Sequence, residues 1–371
     1  TRLREHLSES RIHALDSLRS PSPSLHSRCC KIVVAMLSLL FLSPLSLNVP
    51  MRASISMNAP AVELLQFLPM IPPLNPGTTA TAALSIPGGS LSAPVWLPEA
   101  QALAVLNNDQ QALVRPGEGT IREPESLPLP PQSSSAVSAH AILGEGALAT
   151  CGGPSRSLAC VLADPPSVVA LPLEGAEELT GVGLVCPLSN ARLLVGTDTG
   201  SLVCLSKDAP PVTLISGFAP GSLKGACLSS DEKKLYLCDG QAVACCALDV
   251  DGGTCSPPAA LPQLAASLGE AAVSGGVTGV ACDVNGNLYV SAASGVLVVD
   301  DTGDAMVKLP IPNGASGLCF GGPSFSEVFV TSGDFVWRVK TNTQGVQPPS
   351  AEFIKWMEKL TASGDYRHVG W

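Results

Sequence analysis

Short apolar runs broken by polar turns recur along the chain, and in its last third they recur as a phrase. Gly225 opens "GACLSSDEKKLYLCDGQAVACCALDVDG", Gly279 opens "GVACDVNGNLYVSAASGVLVVDDTGD" and Gly317 opens "GLCFGGPSFSEVFVTSGDFVWRVKTNTQG". Each phrase holds a small residue, an apolar run, a turn, a second run, another turn and a third run. Runs of this length between turn residues predict short antiparallel strands, and such a unit cannot bury its apolar faces alone. Stacking the units in a ring buries those faces and leaves few exposed edges.

The phrase continues more faintly upstream. Gly183 opens "GLVCPLSNARLLVGTDTGSLVCLS", Ala139 opens "AHAILGEGALATCGGPSRSLACVLA" and Ala93 opens "APVWLPEAQALAVLNNDQQALVRP". The six openings are spaced by 46, 44, 42, 54 and 38 residues, intervals of the size of one propeller blade. The pattern predicts an all-β fold, a six-bladed β-propeller over 79–346. A sandwich of short strands has similar turn spacing. The propeller is preferred because turn chemistry recurs together with the periodicity.

Composition suits that class. Of 371 residues, 35 are Gly and 33 are Pro, which punctuate turns and weaken helix interiors. The formal net charge is -10 and the repeats carry no basic stripe, so nucleic acid is not expected as a partner. Thirteen cysteines lie mostly inside apolar runs with no CxxC among them, which points to packing and not to metal or redox motifs. No G-x-S-x-G, Walker or G-x-G-x-x-G motif occurs. His140 is the one histidine in the repeats, and its place in the apolar run "AHAIL" reads as a satisfied strand residue more than a base.

The two ends differ from the repeats. Residues 1–75 are read as a disordered or targeting leader. Arg2, Arg4, Arg11, Arg19, Arg28 and Lys31 precede an apolar run at 32–42, and Ser43 and Pro44 follow it. That order resembles a secretory signal or signal anchor and predicts the secretory pathway or an organelle as destination. The run is shorter than the ~20 residues of a membrane span, and membrane contact is expected only through it. At the other end Phe353, Trp356, Met357 and Leu360 are spaced as one face of a short amphipathic helix, in a tail spanning 351–371.

The quoted repeats resemble the SMP-30/gluconolactonase/LRE-like family. Residues "GVACDVNGNLYVSAASGVLVVDDTGD" and the phrase after them are similar to its final two blades, "LSSDEKKLYLCD" to the preceding blade, and "APVW" to the motif opening the first. The resemblance is strong over 225–346 and weak over 90–224. It implies a six-bladed propeller with one divalent metal, such as calcium, in the central channel. It also implies hydrolysis of sugar lactones and related esters. The segment "TATAALSI" before Pro87 would then supply the outer strand of the last blade.

The chemistry carries over less well than the fold. The family's metal-binding Glu, Asn and Asp fall on Ser92, Lys224 and Thr278, and a further channel Asn falls near Gly181. A hard dication wants several oxygen ligands, preferably carboxylates, and a lysine among them repels it. No metal is therefore predicted. The residues that precede the openings, Ser92, Ser138, Lys224, Thr278 and Ser316, form a candidate ring of hydroxyls with one cation. Such a ring suits a neutral sugar or a small anion, a sugar lactone or sugar acid. Three functions follow: a degenerate, metal-free member that binds a ligand or partner; an active metal-dependent sugar-lactone hydrolase; a protein-docking scaffold. The hydrolase needs at least two channel carboxylates, and Glu99, Glu145 and Asp283 all lie in or near turns. No catalytic residue is assigned.

Overall fold

The computed structural model describes residues 72–347 apart from 99, 109, 117–124, 127–138, 145–146, 153–156, 164–165, 170, 172, 177–178, 180, 190–191, 208, 250–252 and 269–275. Residues 1–71 of the leader, with its apolar run, and the amphipathic tail lie outside these residues. Residues 72–75, expected to belong to the leader, pack on the propeller instead, because Leu74 is apolar and buried there.

Six antiparallel sheets are formed, and each begins with the strand predicted to open its repeat. The six first strands are Leu91–Leu97, Ala139–Gly144, Val182–Pro187, Gly225–Leu228, Val277–Cys282 and Gly317–Gly321. Each touches the first strands of the blades on both sides, so the six close into a ring around a central channel. Thr81–Ser85 pairs antiparallel with Phe335–Lys340 and completes the sixth blade. The two ends of the domain are thus stitched into one sheet, and the fold is the six-bladed propeller expected.

At the openings of blades 4 and 6 the small residue has a steric cause. First strands meet backbone to backbone at one end of the channel. A Cβ on Gly225 would lie 3.2 Å from the Gly279 Cα, and one on Gly317 would lie 3.0 Å from the Ala93 nitrogen. Side chains of ordinary size do not fit between strands that close. The long interval between the fourth and fifth openings also has a cause. Blade 4 carries two short extra strands, Thr254–Cys255 and Ala259–Ala260, both paired with its third strand. A helical turn, Leu264–Leu268, follows and buries Leu264 and Leu268 between blades 4 and 5.

The core lies between blades. Second strands such as Leu193–Thr197 and Leu288–Ala292 are buried at every position, because a neighbouring sheet covers each face. This explains continuous apolar runs where an exposed sheet would alternate. Aromatic residues concentrate where the ring is stitched: Trp96 stacks on Phe329 at 5.2 Å between centroids, and Tyr289 meets Phe320 edge-on at 4.8 Å. The chain is tied to this region from Pro72 onward. Asn342 donates its side-chain amide to the Pro72 carbonyl at 3.0 Å, and Leu74 is buried in the same cluster.

Candidate binding channel

A cavity of about 660 Å³ runs along the channel, lined by residues from the first strands and the loops that precede them. One end holds the residues before or at the strand starts. The other lies about 13 Å away by strand rise, where Cys282 ends the first strand of blade 5. There the chain beyond the last strand runs across blades 5 and 6. Val346 donates its N–H to the Cys282 carbonyl at 3.0 Å, and the Gly345 N–H donates to Phe325 at 2.8 Å. A side chain at Gly345 would overlap the Phe320 ring. Val346, Phe320 and Phe325 narrow this end with apolar surface, while Gln347 and Glu232, whose carboxylate accepts from the Ser189 hydroxyl at 2.6 Å, add polar groups to the lining.

The strand-start end holds Ser92, Lys224, Thr278 and Ser316, all four lining the cavity. Ser138 lies outside the described residues. The Thr278 hydroxyl donates to the Ala315 carbonyl at 2.8 Å and lies 2.9 Å from the Ser291 hydroxyl. The Ser316 hydroxyl donates to the Leu91 carbonyl at 2.6 Å, with the Thr331 hydroxyl at 3.0 Å. Both hydroxyls therefore bridge adjacent blades. Lys224 is exposed to the cavity, with its backbone N–H held by the Cys238 carbonyl at 2.8 Å.

One carboxylate was not foreseen. Asp198 sits in the turn between the second and third strands of blade 3 and lines the cavity beside Gly181. Gly181 has φ of 68°, and a Cβ there would overlap the Asp198 carboxyl group. The carboxylate thus takes the space that a side chain at 181 would need. The sequence signal was the pairing of Gly181 with the turn "GTDTGS", but the turn belongs to a different strand pair and carries no mark of the channel.

Two other titratable groups, His140 and Asp283, serve the frame. His140 is buried, its Nε2 hydrogen-bonded to the Ala93 carbonyl and its Nδ1 3.0 Å from the Gln111 amide. A carbonyl only accepts, so Nε2 carries the proton and Nδ1 accepts from Gln111. Burial pushes its pKa down to about 4, opposed by the bond to Ala93. Asp283 has no exposed surface and holds the turn after the first strand of blade 5, accepting from the N–H groups of Asn285 and Asn287, each at 2.9 Å. Burial raises its pKa, while those bonds oppose the rise. Glu99 and Glu145 lie outside the described residues.

A dication does not fit the residues at the strand-start end. Two of the hydroxyls already donate to carbonyls across blades, the position at 224 is cationic, and Asp198 supplies one carboxylate. Among the described residues no three His, Cys, Asp or Glu side chains converge as a metal would require.

The SMP-30/Gluconolactonase/LRE-like region model matches residues 181–334. No curated protein matches the chain. Among solved structures, a putative gluconolactonase superposes with TM-score 0.59 at 17% identity, covering 74% of this chain and 96% of its own. A luciferin-regenerating enzyme gives TM-score 0.59 at 19% identity, covering 73% and 99%. Regucalcin from Agrobacterium tumefaciens, a calcium-binding protein, gives 0.56 at 15% identity, covering 73% and 99%. At such identities the likeness to these structures is one of fold. The stretch similar to the SMP-30/gluconolactonase/LRE-like region, 181–334, lies within a six-bladed β-propeller.

Proposed function

We propose that this propeller is a metal-free member that binds a small polar molecule in its channel, with Lys224 holding an acid group of the ligand. The observation that carries this reading is the direction of the Thr278 hydroxyl. At the position where the resemblance calls for a carboxylate, the side chain is shorter, neutral and committed to the Ala315 carbonyl. Lys224 reinforces it. An ammonium group beside a dication raises the energy of the bound state, whereas beside a carboxylate it lowers it. The cavity of about 660 Å³ has the volume for a sugar acid, and its glycine-lined wall lets a ligand approach the backbone.

The test has two parts. Elemental analysis of protein purified without chelator should find less than one dication per ten chains. Titration calorimetry with a six-carbon sugar acid should show binding that Lys224→Ala weakens at least tenfold. A stoichiometric dication, with lactone hydrolysis lost on chelation, overturns the reading in favour of a metal-dependent hydrolase.

A further inference from the structure

The channel mouth holds a second fixed charge, and it has the opposite sign. Asp198 is pinned through its main chain on both sides. Its N–H donates to the Gly181 carbonyl at 2.7 Å, and its carbonyl accepts from the Gly221 N–H at 3.0 Å. Gly181 immediately precedes the first strand of blade 3, and Gly221 lies three residues before Lys224. The carboxylate therefore stands at the junction of blades 3 and 4, over Gly181 and on the same side of the cavity as Lys224. Lys224 reaches the mouth past Gly240, where an added Cβ would lie 3.8 Å from its Cγ.

Among the described residues neither charge is neutralised. Within that set no hydrogen bond or ion pair engages the Asp198 carboxylate or the Lys224 ammonium, and the two do not pair with each other. Both are exposed to the cavity. An acid and a base held by the fold at one mouth, unpaired, form a site with two electrostatic demands. A ligand bearing only an acid group satisfies Lys224 and is repelled by Asp198. A ligand bearing an ammonium beside its acid group satisfies both.

We propose that the channel selects a zwitterionic small molecule, an amino acid with hydroxyl groups of the amino-sugar-acid kind, whose carboxylate meets Lys224 and whose ammonium meets Asp198. This rests on the metal-free reading of the channel. The position of Asp198 makes the discrimination independent of the hydroxyls at 278 and 316, which are committed to the frame.

The experiment compares two probes by calorimetry at low salt: gluconate, and 2-amino-2-deoxygluconate, which replaces one hydroxyl by an ammonium. The expected result is at least tenfold tighter binding of the amino compound by the native protein. Asp198→Asn should bring the two probes to within about threefold of each other, whereas Lys224→Gln should weaken both. Raising the pH until the ligand's amine loses its proton should erase the preference in the native protein. Equal or tighter binding of gluconate, binding of neither probe, or a preference that survives Asp198→Asn overturns the inference. Metal content measured on the same samples separates the two failures. A bound dication sinks the metal-free reading itself, while metal-free protein without the preference sinks only the zwitterion assignment.

Discussion

The hydroxyl of Thr278 in blade 5 donates at 2.8 Å to the carbonyl of Ala315, two residues before the first strand of blade 6. Ser316 repeats the device one blade further on, donating at 2.6 Å to Leu91 in blade 1. At the channel end these two hydroxyls act as ties between neighbouring sheets. Thr278→Val keeps the shape and removes the donor, which leaves the Ala315 carbonyl without this partner. The expected loss is about 1–3 kcal/mol in urea unfolding, with ligand affinity unchanged. A variant of native stability that has lost binding would assign the hydroxyl to the ligand instead.

The openings of the blades make a second, internally controlled prediction. Gly317 and Gly183 stand at equivalent places in the repeat, yet their surroundings differ. A Cβ on Gly317 would lie 2.8 Å from the Pro94 Cδ, whereas one on Gly183 meets nothing nearer than the Leu223 carbonyl oxygen at 3.8 Å. Gly317→Ala should destabilise by about 1–3 kcal/mol through forced backbone displacement. Gly183→Ala should be neutral or stabilise by up to about 1 kcal/mol, by restricting the unfolded chain. Equal effects at the two positions would mean that the inner ring is looser than these distances indicate.

His140 gives a pH dependence with a defined sign. Its folded pKa is pushed down to about 4 from an ordinary 6.5, so the unfolded state binds the proton first. The neutral-state stability is fully present above pH 6.5 and is lost as pH falls toward 4. The full loss from this group is on the order of 3 kcal/mol. His140→Gln should flatten the curve over that window while lowering stability at neutral pH. A midpoint in urea that follows the native profile in the variant would show that another group titrates.

The course of the blades was legible because burial between sheets dictates the apolar runs, and close approach of first strands favours a small residue at openings such as Gly225 and Gly317. The closing strand at Thr81–Ser85 was expected from the family resemblance alone, and its pairing with Phe335–Lys340 bears that out. The site was legible only in part. Sequence placed Thr278 at the channel, but its hydroxyl is governed by Ala315, 37 residues away, and direction is a tertiary property. Asp198 was not legible in the sequence, because its carboxylate reaches the channel through the room left by Gly181, a juxtaposition that only the fold creates. The insert in blade 4 was seen as a long interval and not as strands, since two-residue strands carry no periodicity.

Blade 4 holds one cysteine unlike the rest. Burial raises the thiols of Cys160 and Cys186 to about 12, which makes them poor nucleophiles. Cys255 is half-buried, and its pKa is lowered by a hydrogen bond from the Cys246 thiol. Among the described cysteines Cys255 should therefore react first with iodoacetamide at neutral pH. Cys246→Ala should slow that reaction, and Cys246→Ser, which retains a donor, should restore most of the rate. Mass spectrometry of partially labelled protein reads the order directly, and labelling at another cysteine ahead of Cys255 would refute it.

The sharpest test of the channel is to rebuild what the resemblance calls for. The triple variant Ser92→Glu, Lys224→Asn and Thr278→Asp places two new carboxylates and an amide around the strand-start end, where Asp198 already stands. It also removes the ammonium, so the local charge changes in favour of a dication. The expected outcome is calcium binding by calorimetry in the triple variant and none in the native protein. Thr278→Asp alone should gain nothing, because Lys224 still opposes the metal. The gain should come with reduced stability, since the tie from Thr278 to Ala315 is lost and the new carboxylate faces that carbonyl when no metal is bound. Added calcium should then raise the unfolding midpoint of the triple variant and leave that of the native protein unmoved. Native protein whose midpoint rises with micromolar calcium would show that oxygen ligands other than these positions supply the site.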